Sequence, residues 1–182
     1  MTSNKQAILT ILMFTAITAT TALAGTSAFV GVTQPQKAWG DVADNGLHAG
    51  LELTAPAIPA LLSLGAQASI SRNATSFGYP DESATWYTGE VLGIAKLSIP
   101  ITGVYAKVGL GFNHYQVTGD DLDYDSQTHL AGAVGAGWNV MMLDLNVMYH
   151  VVKWDTDAPN PGSIDEVDDN YSYFTASVGF GF

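Results

Sequence analysis

The sequence predicts an all-β protein, an eight-stranded antiparallel up-and-down transmembrane β-barrel preceded by a cleaved signal peptide. Three observations predict it. The 182-residue chain opens with a long apolar segment. Later stretches of about ten residues alternate between apolar and small or polar side chains, which is the pattern of a strand with two different faces. The connections between these stretches are alternately long and short.

The first 24 residues have the organisation of a signal peptide. Lys5 precedes an uncharged apolar run that ends in Ala22-Leu23-Ala24. Small residues in this A-x-A pattern form the site that signal peptidase cleaves. We therefore expect residues 1–24 to be removed and residues 25–182 to form a single barrel domain.

Eight stretches of the remaining chain have strand periodicity. The second is the clearest, because Leu47, Leu51 and Leu53 share one face while His48 and Glu52 share the other. The predicted strands cover residues 26–34, 46–55, 61–72, 86–98, 103–117, 128–138, 142–154 and 171–182.

The predicted connections fall into two groups. The short ones lie around residues 56–59, around Pro100 and around residues 140–141. The long ones are polar and hold most of the acidic residues; they cover residues 35–45, 73–85, 118–127 and 155–170. Transmembrane barrels of bacteria have short periplasmic turns and long external loops, and this alternation follows that arrangement.

Composition excludes several classes of function. The formal net charge is −11, and nucleic-acid binding requires Lys and Arg to neutralise phosphates, so we expect no nucleic-acid partner. The chain contains no cysteine, which rules out disulfides, thiolate nucleophiles and cysteine-bound metals. Glycines show no phosphate-binding spacing. We expect neither a cofactor nor a metal centre.

The less apolar face carries charges of both signs, as expected of a narrow interior in which they neutralise one another. These charges are Glu52, Glu90, Lys96, Lys107 and Asp144. Eight strands leave an interior just wide enough for side chains, so we interpret the charges as a network that plugs the lumen. A gated path for ions is the alternative interpretation.

Aromatic residues gather near the ends of the predicted strands, where membrane proteins place them at the lipid–water interface. They are Trp86, Tyr87, Phe112, Tyr115, Trp138, Tyr149, Trp154, Tyr171, Tyr173 and Phe174. The last predicted strand alternates through Phe180 and ends on Phe182, which resembles the signal read by the outer-membrane assembly machinery. Ser177 departs from that signal, which often has Gly at this position.

Residues 25–182 as a whole resemble the small outer-membrane barrels of the OmpA/OmpX type. The resemblance is one of pattern, without a diagnostic motif. It implies a location in the bacterial outer membrane, in contact with lipid and lipopolysaccharide, and a monomeric barrel inserted by the assembly machinery. Because no peptidoglycan-binding segment follows residue 182 in this sequence, the barrel-only members are the better comparison.

One acidic loop has a weak resemblance to a cation site. Carboxylates at close spacing supply the oxygen ligands that Ca²⁺ prefers. The EF-hand pattern fails, since Ser126 and Gly132 stand where that loop requires Gly and Glu. A weak site that bridges lipopolysaccharide phosphates and a solvated loop both remain open. The residues concerned are Asp120, Asp121, Asp123 and Asp125.

Asp125, Ser126 and His129 offer the residue types of an acyl-transfer site. Some small outer-membrane barrels modify lipid A. The segment around His114 nevertheless lacks the His-x-Ser-Asn run of the deacylases. The leading interpretation is therefore a non-enzymatic barrel with a structural or surface-interaction role through its acidic loops. The alternatives are a narrow channel for ions or small solutes and a lipid A-modifying enzyme.

Overall fold

The computed structural model describes residues 25–36, 40, 43–76, 83–119, 126–153 and 170–181. They form eight antiparallel strands, each paired with its neighbours in sequence, and the first strand pairs with the last to close the barrel. This confirms the predicted fold class. The strands are β1 (Gly25–Gln36), β2 (Gly46–Ile58), β3 (Leu62–Ser76), β4 (Ser83–Ser98), β5 (Val104–Gly119), β6 (Gln127–Val140), β7 (Leu143–Lys153) and β8 (Asn170–Gly181).

Residues 1–24, the predicted signal peptide, lie outside the described part of the chain. Among the described residues, no helix is both long enough and apolar enough to cross a membrane.

The barrel has two different ends. Residues 59–61, 99–103 and 141–142 form the short turns, and we call this the short-turn end. The opposite, long-loop end carries the other connections. β3 and β4 extend further toward it than predicted, because their pairing continues to Ser76 opposite Ser83. Backbone hydrogen bonds need no apolar side chains, so the ladder continues after the alternation of residue types has ended.

The outer wall of the barrel is apolar. Large side chains on every strand point outward and are exposed; examples are Val30, Leu51, Ile70, Val91, Leu110, Val134, Val147 and Phe174. Exposed apolar patches of such extent are rare on monomeric soluble domains. A closed barrel pairs its backbone groups internally and can therefore place this surface in hydrocarbon. The fold is that of a transmembrane barrel.

The core of the molecule is the lumen. Inward side chains include large apolar and aromatic groups as well as charged ones; Leu92, Met148 and Val152 are almost completely buried. The predicted interior face is therefore more apolar than its charges indicated. These buried groups lie in successive layers along the barrel axis, and the layers define the candidate site.

Candidate functional site in the lumen

Four charged side chains meet inside the short-turn half of the barrel. Lys107 Nζ lies 2.9 Å from Glu52 Oε2, and Lys96 Nζ lies 2.9 Å from Asp144 Oδ2. Lys96 Nζ is also 3.5 Å from Glu52 Oε1, which joins the two pairs. We call these four residues the ion-pair layer. Two ammonium groups and two carboxylates give it no net charge.

Strand register explains why this layer needs both acids. Lys96 and Lys107 stand directly opposite each other on β4 and β5. Like charges in this position repel. Glu52 projects from β2 and contacts both ammonium groups, which offsets the repulsion. Asp144, at the start of β7, provides the remaining counter-charge.

Neutral groups complete the hydrogen bonding of the ion-pair layer. Lys107 donates to Gln67 Oε1 at 2.9 Å, and the Tyr105 hydroxyl donates to Asp144. Lys96 Nζ also lies 3.8 Å from the centroid of the Tyr105 ring, a cation–π contact. Buried charges that are paired and hydrogen bonded in this way do not bear the full cost of leaving water.

Glu90 does not join this layer, so the predicted network of five divides into two. Leu92 and Ile94 lie between Glu90 and Lys96 on the inward face of β4 and are buried. Glu90 instead contacts His150, whose Nδ1 is 2.9 Å from Glu90 Oε1. The apolar side chains between them therefore separate the two charged groups.

A second polar cluster surrounds Glu90. The Tyr173 hydroxyl donates to Glu90 Oε2 at 2.9 Å, and Asn113 donates to the same oxygen at 3.5 Å. The Tyr171 hydroxyl donates to Asn113 Oδ1 at 2.5 Å. On its other side, His150 Nε2 lies 3.1 Å from Thr175 Oγ1. Every member of this Glu90 cluster is buried.

An aromatic cluster fills the lumen toward the long-loop end. Trp86 stacks on Tyr115 with ring centroids 4.9 Å apart, and Tyr171 meets both rings edge-on. Together with Tyr173, these residues are buried. The prediction that all four belong to an interfacial girdle is wrong. Trp86 and Tyr115 share strand phase with Glu90 and Lys107, and Tyr171 and Tyr173 are out of phase with the outward Phe174. This phase was the signal that could have placed them inside.

The aromatic residues of the opposite strand phase do face outward. Tyr87, Phe112, Trp138 and Phe174 are all exposed on the barrel wall. Proximity to a strand end is shared by both groups. Strand phase alone separates a lumen-filling aromatic residue from a membrane-facing one.

The lumen opens into a small cavity at the short-turn end. Its volume is about 360 Å³, and its charged lining is Glu52, Lys96 and Asp144. Met141 and Met142 contribute to its rim. Three of the four residues of the ion-pair layer therefore line the cavity, and Lys107 lies behind them, 2.9 Å from Glu52.

The four histidines lie in different environments. His48 and His150 are buried in the lumen, and His114 is exposed on the wall. His129 is half-buried near the long-loop end, where its Nε2 lies 3.1 Å from Gln127 Oε1. The Gln127 oxygen also accepts a hydrogen bond from Tyr115.

Two of the predicted sites lie wholly or partly outside the described residues. The acidic loop residues Asp120, Asp121, Asp123 and Asp125 lie outside the described residues, as does Phe182. Phe180 is described, points outward from β8 and is 56% exposed. Within the described ranges, no group of three or more His, Asp or Glu residues is arranged to hold a metal ion.

No family model matches the sequence, and no curated protein is significantly similar to it. Solved structures do resemble the fold. One is Ail, the attachment invasion locus protein of Yersinia pestis, in complex with the heparin analogue sucrose octasulfate. It has a TM-score of 0.57 and 14% identity over 87% of this chain and 98% of that one.

Neisserial surface protein A is a second such structure, with a TM-score of 0.56 and 14% identity over 87% of this chain and 96% of that one. At this level of identity the likeness shows the fold alone. The chain has the fold of the small eight-stranded outer-membrane barrels, as its sequence pattern predicted.

Proposed function

We propose that this protein is a non-enzymatic barrel of the bacterial outer membrane, with a closed lumen and a structural or surface-interaction role. In this proposal residues 1–24 direct export and are cleaved, and the assembly machinery inserts the barrel as a monomer. The short-turn end faces the periplasm and the long loops face outward, in contact with lipopolysaccharide.

The observation that carries this proposal is the layered filling of the lumen. From the short-turn end inward, the ion-pair layer is followed by the buried side chains of Leu92 and Ile94, the Glu90 cluster and the aromatic cluster. An ion crossing the barrel would have to separate paired charges and then pass apolar and aromatic groups. Burial of an unpaired charge costs roughly several kcal/mol, so this interior opposes conduction.

A closed lumen leaves the loops as the part of the molecule that can meet other molecules. The loop segments 119–125 and 165–169 are strongly acidic in sequence. Ail was solved with a heparin analogue, a polyanion. The acidic loops of this chain favour cationic partners instead, or divalent cations that link carboxylates to lipopolysaccharide phosphates.

Conductance in planar lipid bilayers tests the proposal. We expect the purified, folded protein to give no steady single-channel conductance. A steady conductance that is altered by Glu52→Gln or Lys107→Met would support the narrow-channel alternative and contradict the proposal. Lys153→Met is the matched control, because Lys153 is exposed at the end of β7 and lies outside the lumen.

A double variant makes the test sharper. Glu52→Gln combined with Lys107→Met removes one charge of each sign from the ion-pair layer. We expect this variant to remain non-conducting, because Leu92, Ile94 and the aromatic cluster still fill the lumen. If it conducts, the ion-pair layer alone closes the lumen and the layered description is wrong.

A further inference from the structure

The three short turns carry apolar side chains at their tips. Ile101 and Met141 are fully exposed, at 107% and 100%, and Met142 is 65% exposed. Throughout residues 55–62 every side chain is apolar. Turns in water are usually built from Gly, Asn, Asp and Ser, so this composition is unusual for turns that project into an aqueous compartment.

One apolar residue in each short turn also has an unusual backbone conformation, with a positive φ angle. Ile101 has φ +76° and Met141 has φ +56°, and the first turn has Ala60 at φ +62°. Gly or Asn adopts this left-handed region most readily, whereas a β-branched residue is strained there. An apolar side chain at such a position is more easily explained if it is removed from water, because its burial offsets the strain.

The three short turns also carry no charged side chain. None of the residues 55–62, 97–104 and 138–143 is charged. The nearest charged residues, Glu52, Lys96 and Asp144, point into the lumen and are buried. A protein partner recognised by charge would find no charged side chain on these turns, whereas a lipid layer requires none.

The height of the apolar outer wall, measured along the barrel axis, indicates whether lipid covers the short turns. A strand rising about 3.3 Å per residue and tilted by about 40° advances about 2.5 Å per residue along the membrane normal. The outward apolar band of such barrels is about 25 Å tall, so it needs about ten residues. Toward the long loops, the apolar wall ends where the next outward residue is polar. On β3, β5 and β7 the last apolar outward residues are Ile70, Phe112 and Val151, and the polar ones that follow are Arg72, His114 and Lys153.

About ten residues toward the short-turn end from each of these last apolar residues, the strand reaches a short turn. From Phe112 the count ends near Ile101 or Thr102, and from Val151 it ends at Met141. From Ile70 it ends at the turn that precedes Leu62. The apolar wall therefore continues without interruption onto the turn tips, and the thickness of the hydrocarbon layer accounts for its full height.

Trp138 marks the same level independently. It is exposed on the wall near the end of β6, and its Nε1 donates to Thr102 O at 2.9 Å. Tryptophan in membrane barrels lies at the boundary of hydrocarbon and headgroups. The hydrogen bond from its indole to Thr102 therefore places that turn at this boundary.

We infer that the three short turns are inserted into the lipid leaflet at the short-turn end, with their apolar tips in contact with lipid. This inference rests on the proposed membrane location. It adds that the barrel does not project from the membrane at this end, and that its 360 Å³ cavity opens at the level of the lipid headgroups.

Single-cysteine variants test the inference directly, because the natural sequence contains no cysteine. Ile101→Cys and Met141→Cys place an environment-sensitive fluorophore at two tips. Val108→Cys reports the lipid-facing wall, and Thr118→Cys reports the exposed long-loop end. Each folded variant is reconstituted in phospholipid vesicles and quenched separately by aqueous iodide and by lipids brominated close to the headgroup.

We expect the brominated lipids to quench both tip labels and iodide to quench them several-fold less than the Thr118 label. Tip labels as accessible to iodide as the Thr118 label, with the Val108 label still quenched by lipid, would overturn the inference and leave the membrane location intact. Iodide quenching of the Val108 label would instead contradict the location. If the tip labels become accessible to iodide when the protein is diluted in lipid, a second copy of the chain covers the tips. That result would also overturn the inference.

Discussion

Lys107 and Glu52 form a buried ion pair across the lumen, with Nζ 2.9 Å from Oε2, although they belong to strands β5 and β2. Both side chains are at most 5% exposed. Lys107 also donates to Gln67, and Glu52 also contacts Lys96. The pair therefore connects three strands through one ammonium group and joins the two halves of the ion-pair layer.

Removal of the Lys107 charge tests whether the pair is a structural requirement. Lys107→Met is expected to lower the free energy of unfolding by about 3 kcal/mol, because it leaves the buried Glu52 carboxylate without its closest counter-charge. Urea unfolding in lipid vesicles measures the effect. Adding Glu52→Gln should recover part of the loss, because no carboxylate then lacks its partner.

Lys153→Met is the control for this series, since it removes the same charge from an exposed position. It should change the free energy of unfolding by no more than about 0.5 kcal/mol. A Lys107→Met barrel as stable as the natural one, or more stable, would show that the ion pair is not needed for stability.

Tyr173→Phe tests the Glu90 cluster. The substitution removes the hydroxyl that donates to Glu90 at 2.9 Å while keeping the ring. We expect the free energy of unfolding to fall by about 1–3 kcal/mol, because a buried carboxylate oxygen loses a donor. Tyr87→Phe removes a hydroxyl from the exposed wall and should have little effect. Equal effects of the two substitutions would argue against a specific role for the cluster.

Gly111 marks a close approach between β5 and β4. A Cβ atom at this position would lie 2.0 Å from the backbone oxygen of Val91 and 2.9 Å from Leu92 Cα. Gly111→Ala should therefore destabilise the barrel by about 1–3 kcal/mol, or reduce the yield of refolding into detergent.

Gly93→Ala is the matched control for this prediction. The nearest atom to its added Cβ, outside the flanking residues, is Leu110 O at 3.6 Å, an ordinary contact. We expect this variant to refold as well as the natural protein. If both alanine variants refold equally well, β5 and β4 are not packed as closely as described.

Lipid A composition tests the enzymatic alternative. We expect mass spectrometry of lipid A to show the same acyl pattern in cells with the protein, without it, and with Ser126→Ala. Of the three residues proposed for an acyl-transfer site, Ser126 and His129 are described and Asp125 is not. An acyl chain gained or lost only when Ser126 is intact would contradict the non-enzymatic proposal.

Strand alternation was sufficient to predict the barrel and the direction of most side chains. Glu52, Lys96, Lys107 and Asp144 were all assigned to the inner face by their phase, and all are buried there. Alternation within a strand does not predict which residues of different strands are in contact. That depends on register and on the curvature of the closed sheet, which explains why the contacts of Glu90 with His150 and Tyr173 could not be predicted, although counting from the short turns places Glu90 further out than the other four charges.

The aromatic residues show where a sequence-level rule conflicts with a stronger one. Trp86 and Tyr115 lie near strand ends, which favoured the membrane interface. They also share strand phase with Glu90 and Lys107, which places them in the lumen. Phase is the stronger rule, because a strand cannot turn one side chain to the other face without a bulge.

The central claim is that residues 25–182 span the outer membrane as a closed barrel. Membrane fractionation combined with gel mobility before and after boiling tests it most directly. We predict that the protein is found in the outer-membrane fraction and that its unboiled, folded form migrates differently from the boiled form. A protein found wholly in the soluble fraction, with the same mobility before and after boiling, would contradict the claim.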